Sequence, residues 1–186
     1  MEKLLKWILN LRLDEMKSLL DMMEASKDDL PEIYCDMDQV LVDFIGGAED
    51  VIDMPFAQAD KNDRWEAIKN TKDFWVNLKW MPGAKRLYSF ISKYDHHILS
   101  AASSRDVNVR LGKLKWLSKN TKIKRSNINI VKRIDKQKFA MTDGEPNVLI
   151  DDYKKNIVEW ESNGGIGVHH TEVGKTVAEL KRLGFK

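Results

Sequence analysis

Four short, mostly apolar runs in this 186-residue chain each lead into a residue that can do chemistry. Ile33-Tyr34-Cys35 precedes Asp36-x-Asp38, and His97-Ile98-Leu99-Ser100 ends in a hydroxyl. The run Ile128 to Val131 is followed by Asp135-Lys136, and Asn147-Val148-Leu149-Ile150 by the acidic pair Asp151-Asp152. Runs of this length without polar alternation read as strands buried on both faces, the habit of a parallel sheet. In open α/β sheets, chemistry collects beyond the carboxyl ends of the strands.

Helical periodicity fills the spaces between these runs. A helix starting near Pro82-Gly83 carries Leu87, Phe90, Ile91 and Tyr94 on one face, with proline suited to its first turn. A second is expected from about Asp106 to Lys119, with Val107, Leu111, Leu114 and Leu117 inward. A third follows Asp152 through Ile157 and Trp160 and stops at Gly164-Gly165. A strand from Ile166 to His169 and a last helix around Thr176 to Leu183 complete a doubly wound, Rossmann-like α/β pattern. Residues 1 to 27 stand apart as a helical extension, with Leu4, Leu5, Ile8, Leu11, Met16, Leu19, Leu20 and Met23 at helical spacing. That extension is open to three readings: an extra helix on the core, a homodimer contact, or a contact with a partner protein.

Two carboxylates two residues apart at a strand end repel and raise one another's pKa unless a cation lies between them. A divalent metal removes the penalty and leaves one aspartate free to attack phosphorus. All the candidate ligands here are hard oxygens, and no His/Cys cluster favours zinc, so magnesium (Mg2+) is the expected ion. Asp36, the first acid past its strand, is the candidate nucleophile, and Asp38 the candidate acid and base. Asp36 with one or both of Asp151 and Asp152 would hold the metal. Ser100 and the amides of Ala101 and Ala102 are candidate phosphate donors. Lys136 would offset the crowded negative charge, with Lys132 and Lys138 as competitors.

The order Asp-x-Asp, Ser, Lys, Asp-Asp resembles the four motifs of the haloacid dehalogenase superfamily. Asp36-Met-Asp38-x-Val-Leu-Val-Asp-Phe44, Phe74-Trp75, Trp80-Met-Pro-Gly83 and Leu149-Ile-Asp-Asp-Tyr-Lys-Lys-Asn156 make it most similar to the 5'(3')-deoxyribonucleotidase branch. The resemblance covers roughly residues 32 to 170 of a phosphatase domain expected over 28–186. It implies magnesium-dependent hydrolysis of a (deoxy)nucleoside monophosphate through an aspartyl-phosphate, and a small helical cap inserted at about residues 45 to 80. It also implies that Asp38 meets the metal through its backbone carbonyl, and it favours Lys136 over the neighbouring lysines. Phe44, Phe74, Trp75 and Trp80 would form an aromatic slot for a base, or else the core of the cap. In the resembled branch such a slot takes pyrimidines. Arg105 would contact phosphate or sugar, or else pair with a surface carboxylate. Two positions depart from the pattern: Gln39 stands where glycine is usual, and Ser100 replaces the commoner threonine. A sugar phosphate or a nucleic-acid end keeps the same mechanism, and a catalytically silent binding module is the reading from another class.

Composition sets the outer bounds. With 42% hydrophobic and 32% charged residues the chain is globular rather than disordered. Its 31 basic and 29 acidic side chains give little reason to expect a nucleic-acid polymer as partner, although basic residues concentrate between Lys113 and Lys138. The partner expected is a small nucleotide. The single Cys35 excludes an intramolecular disulfide and reads as a core residue. No apolar run approaches a membrane span and the N-terminus has no secretory pattern, so a cytoplasmic protein is expected. Asp43 reads as a polar contact near the cap hinge, and the pairs His96-His97 and His169-His170 receive no chemistry.

Overall fold

The computed structural model describes residues 30–186, so the helical extension and the contacts expected of it lie outside the described residues. Five strands, β1 (Ile33–Cys35), β2 (His96–Ala101), β3 (Ile128–Val131), β6 (Val148–Asp151) and β7 (Ile166–His169), form one parallel sheet in the order β3-β2-β1-β6-β7. Every strand pair is parallel, and β1 at the centre is level with Ile98 on one side and Ile150 on the other at Cys35. A short antiparallel hairpin, β4 (Met141–Thr142) and β5 (Glu145–Pro146), precedes β6. Asp143 and Gly144 both have positive φ there, +50° and +90°, the backbone a two-residue hairpin turn demands. The Asp-Gly dipeptide is its signal, and the expectation from sequence contains no such element.

Both faces of the sheet are covered, which explains the unbroken apolar runs. Ile33, Cys35, Ile98, Val148 and Ile150 pack with Leu87, Ile91, Trp116 and Leu180, while Tyr34, Leu99 and Leu149 pack on the other face with Ile157 and Trp160. The flanking helices are α4 (Ala84–Ile91), α5 (Val109–Asn120), α6 (Lys154–Glu161) and α7 (Val173–Arg182).

One helix face differs from expectation. In α5 the buried residues are Val109, Gly112, Lys113, Trp116 and Leu117, while Val107 and Leu111 are 86% and 56% exposed. The helix is rotated because Gly112 lets it lie against Trp75: a Cβ at Gly112 would come within 2.3 Å of the Cβ of Trp75. Lys113 therefore points inward.

Between β1 and α4 the chain departs into three helices, α1 (Phe44–Ile52), α2 (Lys61–Asn70) and α3 (Phe74–Asn77). The Asp43 N–H donates to the Lys79 carbonyl at 2.9 Å and the Met81 N–H to the Leu41 carbonyl at 2.9 Å. These two bonds tie the start and end of the insertion together. The Asp43 carboxylate accepts from the Gly46 N–H at 2.9 Å and caps α1. Gln39 is held at φ +58°, the left-handed region that glycine enters freely. With its amide turned so that the oxygen faces the helix, Gln39 accepts from the N–H groups of Ile45 at 2.8 Å and Phe44 at 3.1 Å, and in that orientation the side chain that replaces the expected glycine also caps α1.

Candidate active site

Asp36 is the first residue past β1, and its N–H continues the ladder by donating to the Ile150 carbonyl at 2.9 Å. It therefore emerges between β2 and β6, at the crevice where the strand order reverses direction. Carboxylate oxygens of Asp36, Asp151 and Asp152 all lie within 4.8 Å of one another. The Asp36 side chain also accepts from the Met37 N–H at 2.7 Å.

Lys136 lies in the 3-10 segment Arg133–Phe139 that follows β3. Its ammonium, almost wholly buried, stands 3.0 Å from Asp36 Oδ2 and donates to Asp151 Oδ2 at 2.7 Å. Burial alone would lower its pKa, but the Asp36 and Asp151 carboxylates outweigh that and push it up to about 12. Of the two competing lysines, Lys138 pairs with Asp135 at the surface and Lys132 is exposed.

Asp151 is wholly buried and both oxygens of its carboxylate are held by donors. Besides Lys136 it accepts from the Tyr153 N–H at 2.9 Å, and the Asn156 amide donates to both of its oxygens at 3.0 and 2.9 Å. Asn156 cannot turn away, because its own carbonyl oxygen accepts from Arg133 at 3.0 Å and Arg133 also grips Glu159 with two nitrogens. Burial followed by the Asp36 charge still raises the pKa of Asp151. Asp152 is less enclosed. Burial, then Asp36 and Asp151, raise its carboxyl to about 7.

Asp151 and Asp152, both pushed toward their neutral forms, lie with Asp36 within one ion's reach, an arrangement that a bound divalent cation would stabilise. The donors suit magnesium: all are hard oxygens, and bonds of about 2.1 Å put opposite ligands roughly 4.2 Å apart, close to the observed spread.

On the other side of Asp36, Asp38 is held by a residue that the motif order did not single out. Lys113 Nζ, 1% exposed in its side chain, donates to Asp38 Oδ2 at 2.7 Å, to Ser100 Oγ at 2.9 Å and to the Ala101 carbonyl at 2.9 Å. The signal was present in the sequence, since Val109, Gly112, Lys113, Trp116 and Leu117 follow the spacing of a buried helical stripe. Asp38 Oδ1 is buried with no hydrogen-bond partner among the described residues. Burial raises the pKa of Asp38 despite the opposing charge of Lys113. Ser100 is wholly buried at the end of β2. The Ala102 amide is not free for a ligand: it donates to the Val131 carbonyl at 2.7 Å, which extends the β2–β3 ladder.

Three of the four aromatic candidates come together. Phe44 stacks on Trp75 with centroids 5.3 Å apart and 9° between planes, and Phe74 meets both edge-on. Trp65 and Phe56 join them from α2 and the loop before it. These rings pack on one another, Trp75 stacked with Phe44 and Trp65 and the others edge-on, and build the core of the three-helix insertion, with Phe74 and Trp75 buried. Trp75 nevertheless borders the site, its ring 5.5 Å from Lys113 Nζ, while its indole N–H donates to buried Asp106 at 2.6 Å. Trp80 lies apart from this cluster, packed on Trp116 and Tyr88. Arg105 is exposed and reaches the cap, donating to Asn62 at 3.5 Å.

No protein-family model and no curated protein matches this chain. Solved structures do. A crystal structure of a dehalogenase superposes with a TM-score of 0.53 at 15% identity, covering 86% of this chain and 99% of that one. A hydrolase from Pseudomonas syringae superposes with a TM-score of 0.48 at 15% identity, covering 83% of this chain and 90% of that one. The strand order, the parallel registers and the superposition on the dehalogenase agree: this chain shares the doubly wound α/β fold of that protein.

Proposed function

We propose that this chain is a magnesium-dependent phosphomonoesterase that converts a (deoxy)nucleoside monophosphate to nucleoside and inorganic phosphate. One observation carries the reading. Asp36, Asp151 and Asp152 converge within 4.8 Å beside buried Lys136, while Asp38 and Ser100 share the ammonium of Lys113 next to them.

In this reading an Asp36 carboxylate oxygen attacks phosphorus and the bond from phosphorus to the sugar oxygen breaks. The departing oxygen takes a proton from Asp38, whose unpartnered Oδ1 is the atom placed to carry it. Water then attacks the aspartyl-phosphate, gives its proton back to Asp38, and releases phosphate with Asp36 restored. Ser100, Lys113 and Lys136 supply the donors and positive charge that face the phosphoryl oxygens. Asp36, Asp151 and Asp152 would hold magnesium, which when bound neutralises charge on the transferring group. The assignment of a nucleotide rests on the resemblance and on Trp75 beside Lys113. Because the cap aromatics fill one another's faces, a sugar phosphate remains the second reading.

The test is phosphate release from a panel of monophosphates, with magnesium or with chelator, beside Asp36→Asn. Turnover of dUMP or dTMP that needs magnesium and is lost in Asp36→Asn supports both mechanism and substrate. Turnover confined to sugar phosphates removes the base from the proposal, and silence across the panel removes the activity.

A further inference from the structure

The net charge of +2 conceals a strong segregation. From Val107 to Ile134 the chain carries nine lysines and arginines and no aspartate or glutamate. Within the described residues Lys113 and Arg133 account for the carboxylate pairs of this stretch. The other seven, Arg110, Lys115, Lys119, Lys122, Lys124, Arg125 and Lys132, are all exposed. They belong to α5, the segment after it and the residue following edge strand β3; Arg110 turns to the Ile130 carbonyl, while Lys115 and Lys119 lie one helical turn apart and Lys122 follows the helix.

Two cavities mark the ends of this band. The first, of about 230 Å³, lies behind Trp75 and is lined by Lys69, Lys72 and Lys115, with Asp73 and Asp106 also in its wall. The second, of about 690 Å³, lies past the other end of α5 and is lined by Lys93, Lys119, Lys122 and His96. The latter cavity has no acidic residue in its wall. Between them, Leu111, Lys115 and Lys119 recur every four residues and so occupy one helix face, and Val107 is exposed in the turn before the helix. The stripe combines exposed Leu111 at its insertion end with lysines along the rest, over roughly 12 Å of helix.

We propose that this band binds a single strand of nucleic acid along α5, with its phosphates on Lys115, Lys119 and Lys122. Like charges along a line, without carboxylate partners among the described residues, fit a polyanion with regularly spaced charges, and the grooves at either end suit a chain rather than a flat lipid surface. Exposed Val107 and Leu111 offer the apolar contact that unstacked bases use. This inference does not depend on the proposed hydrolysis, because binding can be read in chelator with chemistry switched off.

The experiment is fluorescence anisotropy of a labelled single-stranded oligonucleotide of about 12 nucleotides, titrated with the full chain in chelator at several salt concentrations. Binding is expected to weaken with salt at a log–log slope of about −2, the value for three phosphate contacts on a single strand. Lys115→Glu/Lys119→Glu/Lys122→Glu is expected to lose at least about tenfold in affinity, whereas Lys175→Glu/Lys181→Glu on α7 is not. If circular dichroism shows the triple glutamate variant unfolded, the triple glutamine variant takes its place. Absence of salt-dependent binding, equal losses in both variants, or equally tight binding to phosphatidylserine vesicles would each overturn the proposal.

Discussion

At the residue scale the site turns on two buried lysines that reach it from different elements. The motif order made Lys136 legible, because Asp135-Lys136 directly follows an apolar strand run. Lys113 was legible only through helix phase. Reading Val107 and Leu111 as inward turned α5 by more than a third of a turn and placed Lys113 toward solvent. Two leucine-like positions outweighed a glycine in that reading, and no local propensity reports that Gly112 must meet Trp75. Lys113 gives the first residue-level expectation: Lys113→Met keeps the volume, removes the charge shared by Asp38 and Ser100, and should lower kcat by about 100-fold or more. Steady-state kinetics with folding checked by circular dichroism reads this out. An activity within a few-fold of the parent would place the phosphate elsewhere than against Ser100 and Lys113.

At the element scale, the strand ends were readable because each element announces its own burial. The sheet strands, their parallel sense and the carboxyl-end location of the acids all follow from apolar runs that never alternate. What the sequence could not convey is contact between elements distant along the chain, above all α3 against α5. Phe44, Phe74 and Trp75 carry the same letters whether they stack on a ligand or on one another, so their mutual packing was not legible. The α3–α5 contact should be sensitive to a single methyl. Gly112→Ala would bring a Cβ within 2.3 Å of Trp75 Cβ, which forces the cap helix off α5. Overpacking of this kind costs about 1–3 kcal/mol, so thermal unfolding should begin several degrees lower. Because Trp75 lies over Lys113, substrate affinity should weaken as well. A Gly112→Ala protein of unchanged Tm would mean that α3 and α5 do not lie in contact.

At the scale of the whole molecule, the acidic cluster makes stability depend on pH in a direction set by the raised carboxyls. Asp152 titrates near 7 in the folded chain, against about 3.9 when unfolded. The folded state therefore binds its proton more tightly, so the stabilisation is full below pH 4 and disappears as pH rises through 7. His96 and His170 act in the opposite sense: burial lowers both, which adds stability as pH rises toward 6.5. A bare pH–Tm curve would mix these slopes, but the difference between the parent and Asp152→Asn cancels the histidines. With chelator present, Asp152→Asn should gain on the parent between pH 5 and pH 8. Halving the linkage of that window for solvent screening leaves roughly 1.4 kcal/mol, or about 3–6 °C for a domain of this size. Magnesium should reverse the sign, since it binds the ionised cluster and stabilises the parent most at high pH. Scanning fluorimetry of both proteins, with and without magnesium, decides the point. If the two chelator curves run parallel from pH 5 to pH 8, Asp152 is not held near neutrality by its neighbours. If magnesium shifts both proteins alike, the ion does not use Asp152.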